Sequence, residues 1–162
     1  MPEISPDKTV LLRRAVEDDL PWILDQLVEF DKFSGYKRSL VADMDHAKRG
    51  VLDMIRAHFF MLAINPRLGI QYPETFLGFI AGWQTAHPFN PQLRVLTETF
   101  WWVAQEHRRS RAGLELLNAF TEWGALNCDM VIMTLEHHSP VNEKHLLRRG
   151  FKRKETAYLL EA

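Results

Sequence analysis

One cysteine, Cys128, is all the thiol this 162-residue chain carries, so it can form no internal disulfide framework and fits a reducing compartment. No stretch approaches the roughly 18 apolar residues needed to cross a bilayer. The opening MPEISPDK lacks the apolar core of a secretion signal, and the expectation is a cytoplasmic protein with no membrane partner. An excess of one charge is missing too, since 20 Lys and Arg meet 21 Asp and Glu for a formal net charge of −1. Without a broad basic face, nucleic acid is not an expected partner. Internal repeats and low-complexity linkers are absent. Aromatic residues are plentiful, five Trp and ten Phe, which argues for a packed core in a single domain over residues 1–162.

Periodicity then orders the chain. Thr9–Arg14 reads as a strand, and Asp18 or Asp19 can cap a following helix with Pro21 in its first turn. Leu20, Ile23, Leu24, Leu27 and Val28 fall on one face of that helix, and a second helix spans Leu40–Ala57. Phe59–Ile64 and Thr75–Trp83 read as strands of a hairpin, joined by a breaker-rich turn at Pro66–Glu74. His87–Pro91 reads as a rigid loop, Val95–Ala104 as a strand, and Ser110–Asn127 as a helix. Met130–Glu136 is expected to be a strand, Val141–Arg149 a short helix stopped by Gly150, and Phe151–Leu160 a final strand. The order β-α-α-β-β-β-α-β-α-β predicts an α/β protein whose mixed sheet is covered on both faces.

The chemistry concentrates in Thr97–Gly124. An apolar strand feeds an amphipathic helix through a turn holding Arg108, Arg109 and Arg111, and the helix opens at Ala112-Gly113. The unpaired N–H groups of a helix's first turn, its positive dipole end and added arginines together suit a diphosphate.

With that order and that turn, the chain resembles the GNAT superfamily of N-acetyltransferases, from LLRRAVEDDLPWIL to RRGFKRKETAYLLE. The family's pyrophosphate motif, Gln/Arg-x-x-Gly-x-Gly/Ala, is met at Arg108 and Gly113, with Arg111 in place of the middle glycine. Gly150-Phe151 matches a second hallmark. The resemblance implies acetyl-CoA as co-substrate and a primary amine as acceptor, small molecule or protein. Arg108, Arg109, Ser110, Arg111, Ala112 and Gly113 would hold the pyrophosphate. Main-chain groups of Trp101, Trp102 and Val103 would pair with the pantetheine arm, and Ser139 and Asn142 would add polar contacts. Glu98 stands where many members place a catalytic base, with Glu106 and Glu136 as substitutes, and apolar neighbours would raise its pKa. Phe30, Phe33 and Tyr36 fall in the region that walls the family's acceptor pocket. A homodimer is compatible by resemblance only.

One position departs from the pattern. Where many members carry a tyrosine that protonates the leaving thiolate, four residues before Gly-Phe, this chain has Leu146. Tyr158 or His145 could substitute, or the thiolate could leave unassisted. A non-catalytic CoA-binding module acting through a protein partner is the competing expectation. Glu136, His137, His138 and His145 match no common zinc spacing, so no metal is expected.

Overall fold

The computed structural model describes residues 9–66 and 76–162. The expected turn after Pro66, and Thr75 with it, lie outside the described residues. The chain divides after Ile132 into two compact units, the second being Met133–Ala162.

In the first unit five strands, β1 (Leu11–Arg14), β2 (Phe59–Ile64), β3 (Phe76–His87), β4 (Asn90–Val103) and β5 (Met130–Ile132), form one sheet in that order. Successive pairs are antiparallel except β4–β5, which is parallel. Helices α1 (Leu20–Ser34) and α2 (Met44–Ala57) cover one face, and α3 (Ala112–Asn127) covers the other. The near-continuous apolar run FFMLAI follows from that sandwich, because a strand covered on both faces has no side left for polar residues. Phe60 packs against Phe79 beneath α1, while Phe59 meets Phe120 and Trp123 of α3. Each such ring contributes about 1.5–3 kcal/mol when fully buried.

Several boundaries differ from the expectation. Helix α2 begins at Met44 rather than Leu40, because the Asp43 carboxylate accepts the His46 N–H at 2.9 Å and sets the first turn there. Asp19 precedes α1 but does not cap it with its side chain. Its carboxylate instead takes both arms of Arg13, at 2.7 and 2.8 Å, and the Val16 N–H at 2.8 Å. That bond holds the Arg13 guanidinium above its usual pKa. The supposed loop at His87–Pro91 is a tight reversal, since His87 already pairs with Asn90 and β4 starts there.

The second unit carries one short helix, α4 (Lys144–Leu147), shorter than the expected Val141–Arg149, with Arg148 as its C-cap and a turn that leads to Gly150 at φ of 88°. The final strand expected at Phe151–Leu160 is not formed. Residues 152–160 are all exposed, and their run KRKETA offers no alternating apolar face to bury in a sheet. The strand expected at Met130–Glu136 is likewise only three residues long, as long as its pairing with β4.

Candidate active site

Where β4 loses its neighbour, a site begins. β5 pairs with Val95, Leu96 and Thr97, and the ladder stops there. From Glu98 to Val103 no strand among the described residues pairs with that edge of β4. Main-chain groups along a strand point alternately to either side. The Ala104 N–H donates to Leu77 of β3, and a Cβ on Gly78 would collide with the Trp102 carbonyl oxygen. Trp102 therefore turns its peptide groups toward β3, and Trp101 and Val103 turn theirs to the open edge. Of Trp101, Trp102 and Val103, the first and last therefore face that edge with their main chain. The Val103 carbonyl accepts Arg108 Nε at 3.3 Å.

A bulge sits at the top of the open stretch. Gly82 pairs with Glu98 and Ala81 with Phe100, so Thr99 is the extra residue. A Cβ on Gly82 would lie 2.8 Å from the Phe120 ring and 2.6 Å from the Thr97 carbonyl oxygen, so β3 can approach here only as glycine. Glu98, opposite Gly82, leaves the strand on the α3 side and is half-buried. Thr99 and Phe100 both line a pocket on the α1–α2 side. Bulges re-aim side chains in this way. Sequence reading missed Thr99, because a bulge is a property of two strands and leaves no mark in one of them.

The pocket has a volume of about 200 Å³, with walls that include Phe30, Val41, Met54, Trp83 and Phe100. Phe30 was expected there; Phe33 instead packs on Trp102 at 5.6 Å. The Thr99 hydroxyl oxygen is buried with no hydrogen-bond partner among the described residues. A second, more polar recess of about 250 Å³ lies between Gln26 and Glu29 of α1 and Trp102, Gln105 and Glu106. Its floor is fixed by Trp102 Nε1 donating to Gln26 at 2.8 Å.

The three arginines of the turn do not converge. The Arg108 guanidinium lies 4.7 Å from the Trp102 ring centre and 5.1 Å from that of Phe33. Arg111 pairs with Glu115 one helical turn on, at 2.9 Å, and Arg109 is exposed. Ser110 Oγ accepts the Ala112 N–H at 3.2 Å, which closes one of the first-turn donors of α3. Ala112 is fully buried, and a Cβ on Gly113 would make only an ordinary 3.5 Å contact with Val103. These residues fit an anion at the helix start, because the arginines' present contacts are weak. An exposed cation–π contact is worth about 0.5–1 kcal/mol and a surface ion pair about 0–1 kcal/mol, against about 1.5–3 for a charged hydrogen bond.

In the second unit, Ser139 Oγ accepts the Val141 N–H and Asn142 Oδ1 accepts the Lys144 N–H, so both oxygens serve local turns. Leu146 is buried, His145 is partly exposed, and Tyr158 is 92% exposed outside any helix or strand. Glu106 and Glu136 are exposed. Among the described residues no three His, Cys, Asp or Glu side chains gather to hold a metal, and no helix is long and apolar enough to cross a membrane.

Compared with solved structures, the chain superposes over 94–95% of its length on several acetyltransferases. A predicted acetyltransferase from Clostridium acetobutylicum, solved with acetyl-CoA, matches with a TM-score of 0.69 and 12% identity, over 94% of this chain and 96% of that one. The chain has the GNAT fold. A ribosomal-protein-alanine N-acetyltransferase from Brucella melitensis biovar Abortus 2308 matches with a TM-score of 0.65 and 14% identity, over 95% and 99% of the two chains. A transcriptional regulator from Bacillus halodurans matches with a TM-score of 0.70 and 17% identity, over 95% and 100%. No protein-family profile and no curated protein matches the sequence.

Proposed function

We propose that this GNAT-fold chain is an acetyl-CoA-dependent N-acetyltransferase acting on a primary amine by direct attack in a ternary complex. The observation that carries the reading is the open edge of β4 from Glu98 to Val103, which leads to the start of α3. An extended pantetheine arm suits that edge, with its amides meeting the main-chain groups of Trp101 and Val103. The diphosphate suits the first turn of α3, where Arg108, Arg109 and Arg111 are within one turn of sequence and can exchange their weak contacts for phosphate oxygens.

Glu98, at the mouth of the open edge, accepts a proton from the acceptor ammonium through water. The neutral nitrogen then attacks the thioester carbonyl carbon, a C–N bond forms, and the C–S bond breaks with its electron pair going to sulfur. The second nitrogen proton is lost as the amide forms, and the thiolate takes up a proton to leave as CoA. Leu146 cannot supply that proton. Tyr158 and His145 are the groups left to test, with unassisted departure beside them.

A non-catalytic CoA-binding module remains the second reading, and the observation favouring it is Leu146 at the usual acid's position together with the diverging arginines. Calorimetric titration with desulfo-CoA, set beside turnover of acetyl-CoA with an amine panel, tests both. Binding with turnover supports the transferase, binding without it supports the module, and no binding sinks both.

A further inference from the structure

A net charge near zero hides an uneven distribution. Residues 144–154 hold six Lys and Arg and no Asp or Glu, so the other 151 residues carry 14 Lys and Arg against 21 Asp and Glu. All six lie in the second unit, on and after α4. Lys144, Arg148, Lys152, Arg153 and Lys154 are exposed. Among the described residues only Arg153 of these five has a carboxylate partner, Glu143 at 2.5 Å. The same unit leaves apolar side chains in solvent, since Leu147, Tyr158, Leu159 and Leu160 are exposed, Leu160 by 93%. We infer that this segment docks on an anionic lipid membrane, its cations meeting headgroup phosphates while Tyr158, Leu159 and Leu160 enter the interface. The inference is independent of acetyl transfer.

The pairing of charge with apolar surface decides the class. A nucleic acid would meet the cations and could stack a base on Tyr158, but it would leave Leu159 and Leu160 in water. A protein groove would need cations and leucines in a fixed geometry, and residues 152–160 form no helix or strand to supply one. A membrane surface takes both kinds of group without fixed geometry. Its anionic headgroups lie over an apolar layer, and tyrosine favours the boundary between them. Each Lys or Arg near such a surface strengthens binding by about fivefold. A basic patch and an apolar anchor together give the two signals that stable attachment takes. The segment is tied at its start, where the Phe151 N–H donates to the Leu146 carbonyl at 3.2 Å. Adsorption also needs no spanning helix, so the expectation of no membrane partner, drawn from the lack of a spanning stretch, does not bear on it.

The test is co-sedimentation of the full chain with vesicles of phosphatidylcholine alone, and of equimolar phosphatidylcholine and phosphatidylglycerol, with poly(U) binding measured beside it. The wild-type chain is expected to bind the anionic vesicles and not the neutral ones, and to bind less as salt is raised. Lys152→Gln/Lys154→Gln should weaken that binding by about 10- to 30-fold, for two cations removed. Leu159→Ser/Leu160→Ser should weaken it by about tenfold or more, because two buried leucines are lost from the interface. Saturating desulfo-CoA is expected to leave vesicle binding unchanged. No binding to anionic vesicles at low salt overturns the proposal. Vesicle binding indifferent to Leu159→Ser/Leu160→Ser, or poly(U) bound more tightly than vesicles, overturns it in favour of a general polyanion or a nucleic acid. Displacement from vesicles by desulfo-CoA overturns it too, since the cations would then belong to the CoA site.

Discussion

Between Thr97 and Phe100 the backbone is held on one side by β3 at a spacing only Gly82 permits, and the side chains of Thr99 and Phe100 line the pocket on the α1–α2 side. Between Gln105 and Arg111 the chain runs from a short helical turn to the start of α3 with its arginines on the surface, Arg108 and Arg111 each in a contact worth a fraction of a kcal/mol to about 1 kcal/mol. Both stretches belong to the same proposed site. The first is pre-organised and tolerates little change, while the second can re-form around a ligand. On the proposed reading, catalytic geometry would belong to the bulge and affinity for a charged ligand to the turn.

The sharpest break of that contrast is Glu98→Gln. Removing the base is expected to lower kcat by about 10²–10⁴, roughly 3–5 kcal/mol, while desulfo-CoA affinity stays within about twofold. Steady-state kinetics with a competent amine, paired with calorimetry, checks both halves. Unchanged turnover would remove Glu98 from the mechanism.

Next in size is Gly82→Ala. The new methyl would press on the Thr97 carbonyl and the Phe120 ring, and the backbone partner cannot swing away as a side-chain tip would. A loss of about 1–3 kcal/mol in unfolding free energy is expected from overpacking, read by urea denaturation. A neutral result would show that the bulge relaxes, and the rigidity assigned to this region would be wrong.

On the turn, Arg108→Ala is expected to weaken desulfo-CoA by about tenfold, the equivalent of one charged hydrogen bond. Stability should fall by only about 0.5–1 kcal/mol, for the lost stacking on Trp102 and Phe33. Raising the salt concentration should shrink the difference in affinity between Arg108→Ala and the wild type. A large stability loss with no change in CoA affinity would make Arg108 a structural clamp.

The contrast also explains what could be read in advance. β1 to β4 and the three long helices were legible because periodic apolar residues record burial, and FFMLAI and the α1 stripe carry that record plainly. The arginine turn was legible as composition, but its geometry was not. Whether Arg108 meets a phosphate or a tryptophan depends on Phe33 and Trp102, one on α1 and the other on β4. Thr99 was invisible because its role comes from a register shift between β3 and β4. Phe151–Leu160 was overread, since a few apolar residues at its ends were taken for a strand that its charged middle does not sustain.

The smallest effect isolates the turn's adaptability. Glu115 holds Arg111 by an i,i+4 pair, with the arginine side chain 73% exposed, so the pair adds no more than about 0.3–0.5 kcal/mol. Glu115→Gln leaves helix propensity nearly unchanged and releases that guanidinium. It also removes a negative charge from the first turn of α3, where it would repel a phosphate. Both changes favour an anion, so desulfo-CoA is expected to bind about two- to threefold more tightly, with stability lower by about the energy of the pair. A variant that bound more weakly would mean that Glu115 positions Arg111 for the ligand instead of competing for it. The turn would then share the rigidity of the bulge, and the division of labour between the two regions would have to be abandoned.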